Sequence, residues 1–146
     1  MIRAFRKLFE VPQQESEAEQ EYRTRLAAAA LLIETARADF AEDQAEDARL
    51  QSLLRRTLEL DPEEVSKLVA QASSELDRST SLFEFTRVIN DHYSVEQKQE
   101  LVTNMWRVAY ADGRLDKYEE SLIRQVAELT YVPHTDYIRA KLVARA

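Results

Sequence analysis

Ala111-Asp112-Gly113-Arg114-Leu115-Asp116-Lys117-Tyr118-Glu119 is the stretch around which the rest of this chain is organised. Gly113 is the only glycine in 146 residues, and glycine is the residue that enters left-handed backbone without steric cost. An apolar-periodic segment precedes it, ending Trp106-Arg107-Val108-Ala109-Tyr110, and another follows from Tyr118 to Leu129. The pattern predicts helix, glycine C-cap, short turn, helix. Asp116 opening the new helix and Glu119 three residues on make an N-terminal capping pattern. Asp112 has no such local reason. The pattern puts it in the last turn of the preceding helix, where the dipole disfavours an anion, and a residue that breaks a local rule is a functional candidate.

Composition narrows the class. One domain of ordinary size fits the length and can bury a core. The net charge of -7 gives no basic footprint for nucleic acid. With no cysteine there are no disulfides or thiolate metal sites, which fits a reducing compartment and a cytoplasmic location. No apolar run approaches the roughly 20 residues needed to span a bilayer, and no secretory signal is visible. Scarce glycine and proline beside abundant Ala, Leu, Glu, Arg and Gln predict an all-α chain.

Taken in order, residues 1–16 read as a basic amphipathic segment and linker, and 17–146 as a single helical domain. Ile2, Phe5, Leu8 and Phe9 recur at helical spacing with Arg3, Arg6 and Lys7 between them. Such a short helix either docks on the domain or makes a weak peripheral contact, through residues 1–10, with an anionic membrane face. Seven helices are then expected. The first spans about Glu17 to Asp39, with a stripe of Leu26, Ala29, Ala30, Ile33 and Ala36. The second spans Asp43 to Leu58. Asp61 caps the third and Pro62 starts it, with Val65, Leu68, Val69 and Ala72 inward. The fourth, Leu82 to His92, buries Leu82, Phe85 and Ile89, with Phe83 as a further candidate. Ser94-Val95-Glu96-Gln97 is a capping box for the fifth. The sixth follows the central turn, and Val132-Pro133 opens the seventh, with Ile138 and Leu142 inward. Short connections make this a compact bundle.

The two halves overlay with a shift of 73 residues. Ala38-Asp39 falls on Ala111-Asp112, Asp43 on Asp116, Glu46 on Glu119, and Leu50 and Leu53 on Ile123 and Val126. Val65 and Val69 fall on Ile138 and Leu142, with a one-residue slip near the prolines. The bundle therefore reads as two pseudo-symmetric three-helix units joined by the fourth helix. The first copy has Phe40 in place of Gly113, and it adds Glu42 and Asp47.

The acids carry the chemistry. Asp112-Gly113-Arg114-Leu115-Asp116 with Glu119 matches the second half of an EF-hand loop, but Val108 and Tyr110 stand where two further acids belong. A full EF-hand is rejected. The expected metal set is Asp39, Asp43, Glu46, Asp112, Asp116 and Glu119, six carboxylates that repel one another unless a cation or protons neutralise them. Ca²⁺ is the expected ion, with Mg²⁺ or Mn²⁺ as alternatives. The competing account makes all six helix caps and solvated surface, which suits Asp43, Glu46, Asp116 and Glu119 better than Asp39 and Asp112. His92 and His134 have no second histidine at helical spacing and are not expected to be ligands. No nucleophile, phosphate loop or cofactor fingerprint is present, so no enzyme is expected.

The segment Ala109-Tyr110-Ala111-Asp112-Gly113-Arg114-Leu115-Asp116-Lys117-Tyr118-Glu119-Glu120 resembles the TerB-like family, named after bacterial tellurite-resistance protein B. The parallel Ala36-Arg37-Ala38-Asp39 with Asp43 and Glu46 is similar, as is Leu82-Phe83-Glu84-Phe85-Thr86-Arg87-Val88-Ile89-Asn90. The likeness runs from about Leu26 to Leu142. It implies an all-helical fold of two related halves, an acidic metal-binding surface, and a role in stress or metal response, partly at the inner membrane face. Two functions are carried forward. One is a divalent-metal-binding module. The other is a metal-free module whose acidic face docks an unidentified protein partner.

Overall fold

The computed structural model describes residues 16–37, 44–78, 81–111, 115 and 117–146, without the side chains of 44–47 and 49. Among them are seven α-helices and no strand. They are α1 (Glu17–Arg37), α2 (Gln44–Leu58), α3 (Pro62–Arg78), α4 (Phe83–His92), α5 (Val95–Ala109), α6 (Lys117–Leu129) and α7 (His134–Arg145). The basic segment of residues 1–10 lies outside the described residues, as does Gly113.

The helix starts follow the local chemistry read from the sequence. Ser16 Oγ accepts from the Glu19 amide at 3.1 Å and opens α1. Asp61 Oδ1 accepts from the Glu64 amide at 2.8 Å ahead of α3. That backbone hydrogen bond favours the anion and lowers the Asp61 pKa. Ser94 and Gln97 form the reciprocal box of α5, at 3.1 Å and 2.8 Å.

Packing centres on α1. Every residue from Leu26 to Ile33 is buried. The helix touches α2, α3, α4, α5 and α6. A helix apolar all round can only sit inside a fold. The four consecutive alanines, Ala27 to Ala30, let neighbours approach from several directions. The most extensive helix contacts are α5–α7 and α1–α3. These are the corresponding pairs of the two halves, first helix against third in each, and α4 links them.

The repeat also resolves the slip. At the ends of α2 and α6 the same hydrogen bonds recur: Leu60 N to Arg55 O at 3.2 Å, and Val132 N to Ala127 O at 2.8 Å. Each closes over a left-handed residue, Glu59 (φ 55°) and Tyr131 (φ 60°). Both are six-to-one Schellman closures, and they correspond at a shift of 72 (131 less 59). One residue is therefore missing from the last turn of α6. Beyond it, buried Val65, Leu68 and Ala72 correspond to buried Tyr137 and Ala140 and partly buried Ala144. This overturns the expected inward pair on α7: Ile138 is 38% and Leu142 57% exposed. Losing one residue turns the following helix by about 100°, which carries both outward. Phe83 is also exposed, at 59%, because it opens α4 while Phe85, Val88 and Ile89 face the core.

Two features were not visible in the sequence. Arg23 on α1 is buried and donates from Nη2 to His92 Nε2 at 2.9 Å, which makes His92 an acceptor inside the bundle. Glu75 on α3 is buried, and its Oε2 has no hydrogen-bond partner among the described residues; the same holds for Glu84 Oε2 on α4. Burial raises the Glu75 pKa and Glu84 raises it further, while Arg78 offsets part of the shift.

Two outcomes are expected. Glu59→Gly should raise stability by about 0.5–1 kcal/mol, because glycine enters the left-handed region freely. An unchanged or lower urea midpoint would contradict this. Glu75→Gln should stabilise the protein at pH 7. A carboxyl whose folded pKa is raised favours protonation in the folded state, so its ionisation weakens the fold above that pKa. The gain should therefore shrink as pH falls through the carboxyl range, and a gain that persists in acid would refute the assignment.

Candidate functional site

Of the six acids expected to form a metal set, the described structure contains the side chain of Glu119 alone. Asp39, Asp43, Asp112 and Asp116 lie outside the described residues. Glu46 lies in α2, with its side chain outside them. Among the described residues no three His, Cys, Asp or Glu side chains are grouped for a metal ion.

Glu119 sits in the first turn of α6 and is 2% exposed. It starts the buried stripe Glu119, Ile123, Val126, Ala127 of that helix. The account of Glu119 as solvated surface is therefore wrong. Its helical phase, four residues before Ile123, points it inward, and it is engaged with a partner there. A buried charge is tolerated only when paired or hydrogen-bonded.

The surroundings of Glu119 form a cleft of about 360 Å³. Ala36 near the end of α1, Leu50 and Leu53 of α2, Val108 and Ala111 at the end of α5, and Glu119 share its walls. Ala144 of α7 reaches it as well. The described residues flanking both acidic turns thus meet at one end of the bundle. Helix α5 ends at Ala109, capped by Tyr110, whose amide bonds Trp106 O. The expected position of Asp112 in the last turn lies outside the described residues.

Aromatic packing holds this end in place. Trp106 is fully buried, stacks on Tyr110 at 6.0 Å between centroids, and meets Tyr137 of α7 at 5.3 Å. Lys141 Nζ lies 5.1 Å from the Trp106 ring centre. Burial raises the Tyr137 pKa, with Arg124 opposing the shift. His134 is exposed and lies against Tyr137, 5.7 Å between ring centres.

Sequence reasoning missed three polar residues of the cleft: Ser52, Arg56 and Arg107. All three are exposed. Arg107 Nη1 donates to Asn104 Oδ1 at 2.8 Å. In sequence, Arg56 and Arg107 look like ordinary cations in the last turns of their helices. Only the meeting of α2 with α5 puts them on one cavity.

Comparison with known proteins comes down to one finding. A family model described as tellurite resistance protein TerB matches residues 25–142. Neither the curated proteins nor the solved structures contain a match.

Glu119→Ala should destabilise the fold by about 1–3 kcal/mol, because it empties part of the wall and strands the partner of a buried carboxylate. Chemical denaturation measures the effect, and a change within experimental error would return Glu119 to the surface-cap account.

Proposed function

The chain belongs to the TerB family, and on that premise we propose that it is a non-enzymatic module binding a divalent cation through its paired acidic turns, within a bacterial stress or metal response. The observation that carries this proposal is the convergence of Ala36, Ala111 and Glu119, which flank the two turns, on one cleft. Hard cations require several oxygen ligands from a compact region. Two turns entering one end of a bundle supply more carboxylates than either turn alone. The buried Glu119 adds support, because it is an acid on a core-facing stripe where sequence periodicity calls for an apolar residue. Asp39, Asp43, Glu46, Asp112 and Asp116 complete the proposed ligand set by their repeat register. Ca²⁺ fits first, and Mg²⁺ or Mn²⁺ are the alternatives. Among the described residues no helix is long and apolar enough to cross a membrane. The proposal places the module in the cytoplasm, with residues 1–10 as a peripheral contact with the inner membrane face.

The test is thermal unfolding in chelator against millimolar Ca²⁺, Mg²⁺ and Mn²⁺. A ligand of the native state stabilises it by mass action, about 2.7 kcal/mol at a hundredfold excess over Kd. Asp112→Asn should reduce that cation-dependent gain. In chelator the same substitution should change stability by no more than about 1 kcal/mol, the scale of a single charge near a helix terminus. Calorimetric titration at low ionic strength is decisive: no uptake by the wild type would defeat the proposal and leave an acidic face that docks a protein partner.

A further inference from the structure

We propose that the 360 Å³ cleft between α2 and α5 binds a small amphipathic organic anion, a carboxylate on a short hydrocarbon body. This goes beyond cation binding and uses different residues. The volume lies at the low end of the roughly 300–1,000 Å³ typical of small-molecule sites. The inner wall is apolar: Leu50, Leu53 and Ala109's neighbour Val108 are buried or half-buried there, with Ala36 and Ala111 beside them. Arg56 and Arg107, both exposed, also line the cleft.

Among the described residues no carboxylate is paired with either arginine. Arg25, Arg37 and Arg139 each hold a carboxylate, in Glu21, Asp77 and Asp136. Arg56 makes no hydrogen bond or ion pair with a described residue, and Arg107 bonds only the neutral amide of Asn104. The chain has 27 acidic and 20 basic residues, yet among the described residues these two arginines on one cavity have no ionic partner. Guanidinium suits a planar carboxylate because its donors form a fixed fork. An apolar wall with exposed cations in the same lining is complementary to an alkyl chain with an anionic head. Glu119 is already engaged, so no ligand group is assigned to it.

Sodium octanoate is the probe, with the full chain kept in chelator so that the outcome is independent of any cation. Octanoate should raise the melting temperature in a saturable way, whereas acetate, octylamine and octanol should not. The double variant Arg56→Gln/Arg107→Gln should weaken octanoate binding at least about tenfold, as expected when charge-assisted hydrogen bonds are lost. Ser52→Trp, at an exposed lining position, should block the cleft while leaving both arginines in place. Circular dichroism of each variant establishes that the helices are intact. Absence of an octanoate shift would overturn the proposal. So would an equal shift with octylamine or octanol, or undiminished binding by the folded double variant.

Discussion

The burial of α1 on every side is the constraint on which the rest of the fold depends. Leu26 to Ile33 is an unbroken run of core residues, half of them alanine. A helix with no polar face in its middle cannot lie on a surface, so five other helices gather around it. Small side chains keep the interaxial distances short, and the larger residues come from the neighbours: Phe85 and Ile89 from α4, Met105 and Trp106 from α5. Even the arginine on this helix, Arg23, is taken inside, where His92 accepts from it. The two ends of α1 differ accordingly. Its first turn is exposed and acidic, and its last residue, Arg37, meets Asp77 at the surface at 2.7 Å.

Around that centre, the two halves repeat their architecture but not their surface. The closures at Glu59 and Tyr131 are the same device used twice, with a non-glycine residue in the left-handed region each time. The residue missing from the last turn of α6 rotates α7 relative to α3. Tyr137 then packs on Trp106, whereas Ile138 and Leu142 turn to the outside. A single-residue change in a helix end thus decides which side of a whole helix faces the core.

The cleft is lined by residues of both charges. Glu119 is held inside, while Arg56 and Arg107 are exposed. Away from the cleft, Glu75 and Glu84 each keep a buried carboxylate oxygen without a hydrogen-bond partner among the described residues. Burial makes ionisation of Glu75 costly. Burial thus ties the stability of the α3–α4 region to the charge state of Glu75.

Local chemistry was legible in the sequence. The scarcity of glycine, the capping residues Asp61 and Ser94, the apolar periodicity and the 73-residue register determined the seven helices of the described residues, in two related halves. The resemblance to the TerB family was carried by Ala109 to Glu120, by Ala36 to Asp39 with Asp43 and Glu46, and by Leu82 to Asn90, and the family model matches residues 25–142. Phase and partnership were decided by tertiary structure. Glu119 reads locally as a capping acid, and only the packing of α6 turns it inward. Ile138 and Leu142 read as core, and only the closure at Tyr131 turns them out. Arg56 and Arg107 are 51 positions apart (107 less 56) and share no motif. The physical reason is that capping and periodicity act within a few residues, whereas burial of a given side depends on how one helix is rotated against another.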